Sequence, residues 1–208
     1  FTFSHIKNAI SNDDLRPALQ QANTVGDKTY ATDAHAIIII PNSLLQRTYE
    51  AHPKTPNYQH IIDQCKEREP LYFKDVALFR IMEDQPKVHG SIDCEQCEGS
   101  GQCPHCGESC NECDGEGAVE DPYSSLVYND DKSYIQIGDK MFSAFQMGKL
   151  EQVLIEMHAD TFSMIKENNC VGYFKVGEID ILIARMLHED YPERPISILK
   201  SFNHEKDN

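Results

Sequence analysis

The sequence predicts an α+β protein of two helix-plus-strands units, interrupted by a cysteine-rich insertion. Three observations carry this reading. Leu15, Ala18, Leu19 and Ala22 fall at the i, i+3, i+4, i+7 spacing that gives a helix one apolar stripe, and Leu150, Val153, Leu154 and Met157 repeat that spacing near the other end. Each stripe is followed by strand-like segments that end in a strongly aliphatic one, AIIII at Ala36–Ile40 and IDILI at Ile179–Ile183. Six of the eight cysteines lie between Cys94 and Cys113. The expected organisation is therefore a body formed by 1–88 and 122–208, its helices on one face of a sheet, with 89–121 as the insertion.

The elements follow in chain order. SNDDLRPALQQAN opens with an N-cap signal at Ser11 or Asn12 and acids in the first turn, with Pro17 early enough to be tolerated. KTYATDAHAIIII reads as strand, turn and buried strand ending at Pro41, and NYQHIIDQCKE as a short helix around Ile61 and Ile62. YFKDVALFRIM fits helix or strand. After the cysteines, SLVYNDDKSYIQIGDKMF predicts two strands joined by a turn at Asn129 to Asp131. MGKLEQVLIEMH predicts the second amphipathic helix. TFSMIKENNCVGYFKVGEIDILIARML then alternates like successive strands, with turns at ENN and VGEID.

Composition bounds the function. The chain has 208 residues, 40% of them hydrophobic, with nine Phe and nine Tyr, enough for an ordinary globular core. Its longest apolar run, AIIII, is far short of the roughly 20 residues a membrane-spanning helix needs. No basic stretch followed by an apolar one and a small-residue cleavage site opens the sequence, so a cytoplasmic protein is expected. Net charge is −15, and between Val88 and Tyr123 there are nine acids and no Lys or Arg, leaving 25 acids against 19 bases elsewhere. Neither part carries the basic stripe of a protein that holds nucleic acid by counterion release.

The clustered thiols form three C-x-x-C pairs, Cys94/Cys97, Cys103/Cys106 and Cys110/Cys113. A C-x-x-C turn points both sulfurs at one centre, and two such turns supply the tetrahedral four-sulfur shell that zinc favours. The first and third pairs carry matching tails, EGSG after Cys97 and DGEG after Cys113, whose glycines let backbone N–H groups approach the thiolates. The preferred shell for Zn2+ is thus Cys94, Cys97, Cys110 and Cys113, with Cys103 and Cys106 near the tip, where His105 or His89 would complete a second site. Sharing of one ion by Cys94/Cys97 and Cys103/Cys106 is the other combination, and spacing does not separate the two. Disulfides are the competing use of these thiols; a metal is favoured by three C-x-x-C turns without a secretory signal. Four thiolates leave no open position, so the zinc is expected to be structural. Cys65 and Cys170 have no partner at ligand spacing and are expected to be buried thiols.

The cysteine segment resembles the repeat of J-protein co-chaperones, in which such knuckles bind zinc in pairs. Three further stretches, in this order, resemble the bacterial DNA polymerase sliding clamp: YATDAHAI at Tyr30–Ile37, TPNYQHIID at Thr55–Asp63, and FSAFQMGKLEQVL with the strands that run to YFKVGEIDILIARML. The resemblance implies a sliding-clamp-like domain and a non-enzymatic, processivity-type scaffold for replication or repair proteins. It also implies structural roles for Asp33, as the residue that turns the chain, and His35, as a partner for buried backbone groups. A clamp chain has three such domains and this one has length for one to one and a half, so a ring around duplex DNA would need about six copies. The bases a clamp's helices present to DNA are here Arg16, beside Asp13 and Asp14, and Lys149, near Glu151 and Glu156.

An enzyme is not expected. No nucleophile and base stand at recognisable spacing, the histidines form no H-E-x-x-H arrangement, and VGDK and IGDK lack the glycines of a phosphate loop. The expected partners are proteins, either replication-type proteins or further copies of this chain, with duplex DNA reached only through a ring. The alternative is a zinc-knuckle adaptor whose acidic loop grips a basic client. A thiol enzyme ranks last.

Overall fold

The computed structural model describes residue 10 and residues 16–124, 126–128, 134–168, 170–186 and 196–202. It divides into two compact units, Phe1–Gln85 with Asp130–Asn208, and Pro86–Asn129. In chain order the strands and helices are β1 (Asn23–Val25), β2 (Lys28–Thr32), β3 (Ala36–Pro41), α1 (Tyr58–Asp63), β4 (Lys66–Lys74), α2 (Asp75–Glu83), β5 (Lys87–Val88), β6 (Ser91–Asp93), β7 (Ala118–Glu120), β8 (Val127–Tyr128), β9 (Tyr134–Ile137), β10 (Lys140–Ser143), α3 (Ala144–Met157), β11 (Thr161–Glu167), β12 (Val171–Val176), β13 (Ile179–Ala184) and β14 (Ile196–Ile198).

In the body, seven antiparallel strands form one sheet in the order β1-β2-β3-β13-β12-β11-β4. The two aliphatic strands meet at its centre, Ile38 opposite Ile181 and Ile37 opposite Leu182, which is why both lack the polar alternation of a half-exposed strand. All five residues Ala36–Ile40 are buried. At about 1.5–3 kcal/mol per buried large aliphatic side chain, this seam is a major source of the body's stability.

Both faces of the sheet are covered, which corrects the expectation of helices on one face. Tyr30, Ile37, Ile39, Tyr173 and Leu182 pack with Tyr58, Ile61 and Ile62 of α1. The ring of Tyr58 stacks on that of Tyr30 with centroids 4.6 Å apart. The Asn57 side chain caps α1 by accepting from the His60 N–H. None of α3 belongs to that cluster; it packs over β12 and β13, with α2 beside it. On that side Phe174 meets Phe142 edge-on at 5.5 Å. β9, β10 and β14 form a separate three-stranded sheet.

Several elements depart from expectation. Of the first predicted helix, residues 11–15 lie outside the described residues; Pro17–Leu19 forms a single 3-10 turn, with Ala18, Leu19 and Ala22 still buried. The segment YFKDVALFRIM is both alternatives in succession, strand through Lys74 and helix from Asp75, where the acid favours the helix N-terminus. The turn expected at Asn129 to Asp131 lies outside the described residues. Further on, β9 and β10 are joined at Gly138 and Asp139, with Gly138 at φ +61°, the positive value that a tight hairpin demands at that position.

Candidate metal centre

The cysteine unit repeats itself. CEQCEGSG at 94–101 and CNECDGEG at 110–117 fold alike at a spacing of 16 residues, with matching backbone hydrogen bonds. Gly99 N–H donates to Cys94 C=O at 3.2 Å and Gly115 N–H to Cys110 C=O at 2.9 Å. Ser100 N–H donates to Cys97 C=O and Glu116 N–H to Cys113 C=O. The repeats clasp each other reciprocally, Cys94 N–H on Gly117 C=O and Cys110 N–H on Gly101 C=O. Finally, Gly101 N–H points at Cys97 Sγ, 3.3 Å away, and Gly117 N–H at Cys113 Sγ, 3.2 Å away.

This brings together Cys94, Cys97, Cys110 and Cys113, all buried, with their sulfurs within 4.8 Å of one another. Cys94 Sγ lies 3.8 Å from Cys110 Sγ, and Cys97 Sγ 3.7 Å from Cys113 Sγ. A tetrahedron with metal–sulfur bonds of about 2.3 Å has edges of about 3.8 Å, so both measured edges fit a four-sulfur shell. A disulfide would need about 2.05 Å, and all four thiols are free. Burial pushes the Cys94 thiol above its ordinary range. Cys97 also feels burial, but the Gly101 N–H and the thiols of Cys113, Cys94 and Cys110 outweigh it and hold it low. The donor set is soft and closed, which suits zinc or iron held structurally and leaves no position for a reacting ligand.

The remaining residues singled out from sequence are placed as follows. Cys103 and Cys106 sit apart from the cluster, on a tip closed by the Gln102–Ser109 bridge, half-buried and exposed respectively. Among the described residues they join no group of three metal-ligating side chains, and His89 is engaged with the Ser124 carbonyl. Cys65 is buried as expected, whereas Cys170 is exposed, in the β11–β12 connection just before β12. Asp33 does turn the chain, accepting from the N–H groups of His35 and Ala36 at 3.0 and 2.8 Å. His35 is exposed, and among the described residues its side chain serves no buried backbone group; its carbonyl accepts from Ala184 N–H.

One arrangement has no counterpart in the sequence reading. Lys149 is buried on α3, where its Nζ bonds to Asp33 Oδ2 and, at 2.6 Å, to Gln146 Oε1, while Gln146 also donates to Asp33. Burial opposes the charge on Asp33, but Lys149 and the two backbone N–H groups prevail and hold its carboxyl below the ordinary range. Lys149, the counterpart of the bases a clamp's helices present to DNA, is thus engaged inside the body.

No protein-family model matches the sequence, and no curated protein sequence matches it significantly. Solved structures do. The chain is similar to DNA polymerase III subunit beta from Borrelia burgdorferi in complex with a natural product, with TM-score 0.47, 10% identity, and coverage of 89% of this chain and 60% of that one. It is similar to the DNA polymerase sliding clamp from Bacillus subtilis, with TM-score 0.47, 13% identity, and coverage of 88% and 62%. It is similar also to DNA polymerase III subunit beta from Pseudomonas aeruginosa, with TM-score 0.43, 13% identity, and coverage of 90% and 65%. The chain spans less than two thirds of the length of each, and the likeness concerns the fold.

Proposed function

We propose that this chain is a non-enzymatic interaction scaffold of sliding-clamp-like architecture, acting on replication or repair proteins in the cytoplasm, in which one zinc ion folds an acidic knob. The observation that carries the reading is the buried four-sulfur shell with tetrahedral edges, because it makes the knob a metal-built structural element. The unit around it has little apolar core beyond the cysteines and Val119, so ligation worth roughly 10–16 kcal/mol supplies most of its folding free energy. The clamp-like role is supported by the three sequence stretches that resemble the clamp. Encirclement of DNA is not part of the reading, since Lys149 is turned inward.

The test is binding of purified replicative and repair polymerase subunits to the full chain and to a variant lacking 92–119. Binding retained by the variant is the expected result. Binding lost with the deletion would instead favour the zinc-knuckle adaptor, a reading supported by the nine acids and absent bases of that segment. Failure of either form to bind any such subunit would contradict the scaffold.

A further inference from the structure

We propose that the groove beside the β6–β7 ribbon takes an extended basic segment of a partner protein as a third strand. The proposal rests on the metal-folded knob just described, and it names the chemistry of the knob's partner. Among the described residues β6 and β7 pair only with each other, so each has one edge whose backbone groups face no strand. At the centre of β6, Ile92 stands opposite Val119 and is 48% exposed. Both residues line an open groove of about 480 Å³, together with Asp93, Glu95 and Glu112. Glu95 and Glu112 are both exposed.

Charge selects the occupant. No Lys or Arg lies between Val88 and Tyr123 to neutralise the flanks, and four thiolates around a divalent ion add a formal charge of about −2 beneath the groove. An acidic segment or a phosphate backbone is repelled there. An extended peptide presents alternate side chains to opposite sides, so in a strand added beside the ribbon Val or Ile at every second position shares the face of Ile92 and Val119. The Lys or Arg between them shares the opposite face with Asp93 and Glu120, and Glu95 and Glu112 add to the attraction. Strand addition supplies backbone hydrogen bonds, and the two rows of side chains supply selectivity.

The experiment is fluorescence anisotropy of a labelled nonapeptide of alternating lysine and valine, titrated with the full chain whose zinc content is measured on the same sample. Two control peptides replace lysine by glutamate, or valine by serine. Binding of the lysine–valine peptide is expected, with each control weaker by about tenfold or more. Ile92→Asn, and separately the pair Glu95→Lys with Glu112→Lys, should weaken it by a similar factor with zinc content unchanged. Equal binding of the lysine–serine peptide would overturn the groove in favour of bare charge attraction. Unchanged binding by the zinc-loaded variants would overturn it too. A zinc-loaded chain that ignores the lysine–valine peptide contradicts the groove alone, whereas a chain without zinc contradicts the metal reading on which it stands.

Discussion

At the scale of single residues, the geometry of the candidate metal centre depends on two glycines as much as on four cysteines. Gly101 and Gly117 both have positive φ, and a Cβ on either would collide with a backbone carbonyl of the opposite repeat, that of Gly115 or Gly99. Backbone cannot swing aside as a flexible side chain would, and the N–H of each glycine is already committed to a sulfur. Gly101→Ala and Gly117→Ala are therefore expected to lower zinc affinity at least about tenfold, as loss of groups that orient metal ligands does. Gly107 is the internal control: its φ is also positive, but nothing lies within 4 Å of its Cβ position. Gly107→Ala should cost only about 1–2 kcal/mol for the left-handed backbone and keep its zinc. Competition against a chelating indicator dye measures all three, and equal affinities across the set would contradict this role for the two glycines.

At the scale of elements, the link between the β2–β3 turn and α3 shows what local sequence can and cannot reveal. The helix was legible because Leu150, Val153, Leu154 and Met157 keep helical spacing, and the buried β3 and β13 were legible as unbroken aliphatic runs. The inward turn of Lys149 was not, because its partner Asp33 is 116 residues away and only the folded sheet brings them together. VGDK and IGDK lack the glycines of a phosphate loop, but glycine at the first loop position is a hairpin signal, and both segments turn a hairpin. The Asp33–Lys149 link carries a pH signature. The folded-state pKa of Asp33 lies below its ordinary value of 3.8, so the stabilisation is complete above the unfolded-state value and is lost as pH falls through the folded one. Asp33→Asn should therefore remove part of the acid sensitivity of the urea midpoint below about pH 4, while Lys149→Met, which strands a largely buried carboxylate, should cost about 2 kcal/mol near neutrality. Parallel midpoints for wild type and Asp33→Asn across that range would contradict the link.

At the scale of the whole molecule, two units stand on different physics. The body is held by apolar burial along the Ile38–Ile181 seam, and the Pro86–Asn129 unit is centred on four buried sulfurs placed to hold a metal ion. That contrast was readable in composition, since aliphatic runs and C-x-x-C turns do not overlap in the sequence. Spacing alone allows either combination of cysteine pairs; the matching glycine tails favoured Cys94, Cys97, Cys110 and Cys113, and the reciprocal clasp of the two repeats brings those four sulfurs together. Native mass spectrometry of protein purified without added metal, before and after acid denaturation, tests this directly. One zinc per chain, with thiolate ligation lost only when Cys94, Cys97, Cys110 or Cys113 is changed to Ser and kept when Cys103 and Cys106 are, is the predicted result. A metal-free chain whose cluster thiols are joined as disulfides would contradict it.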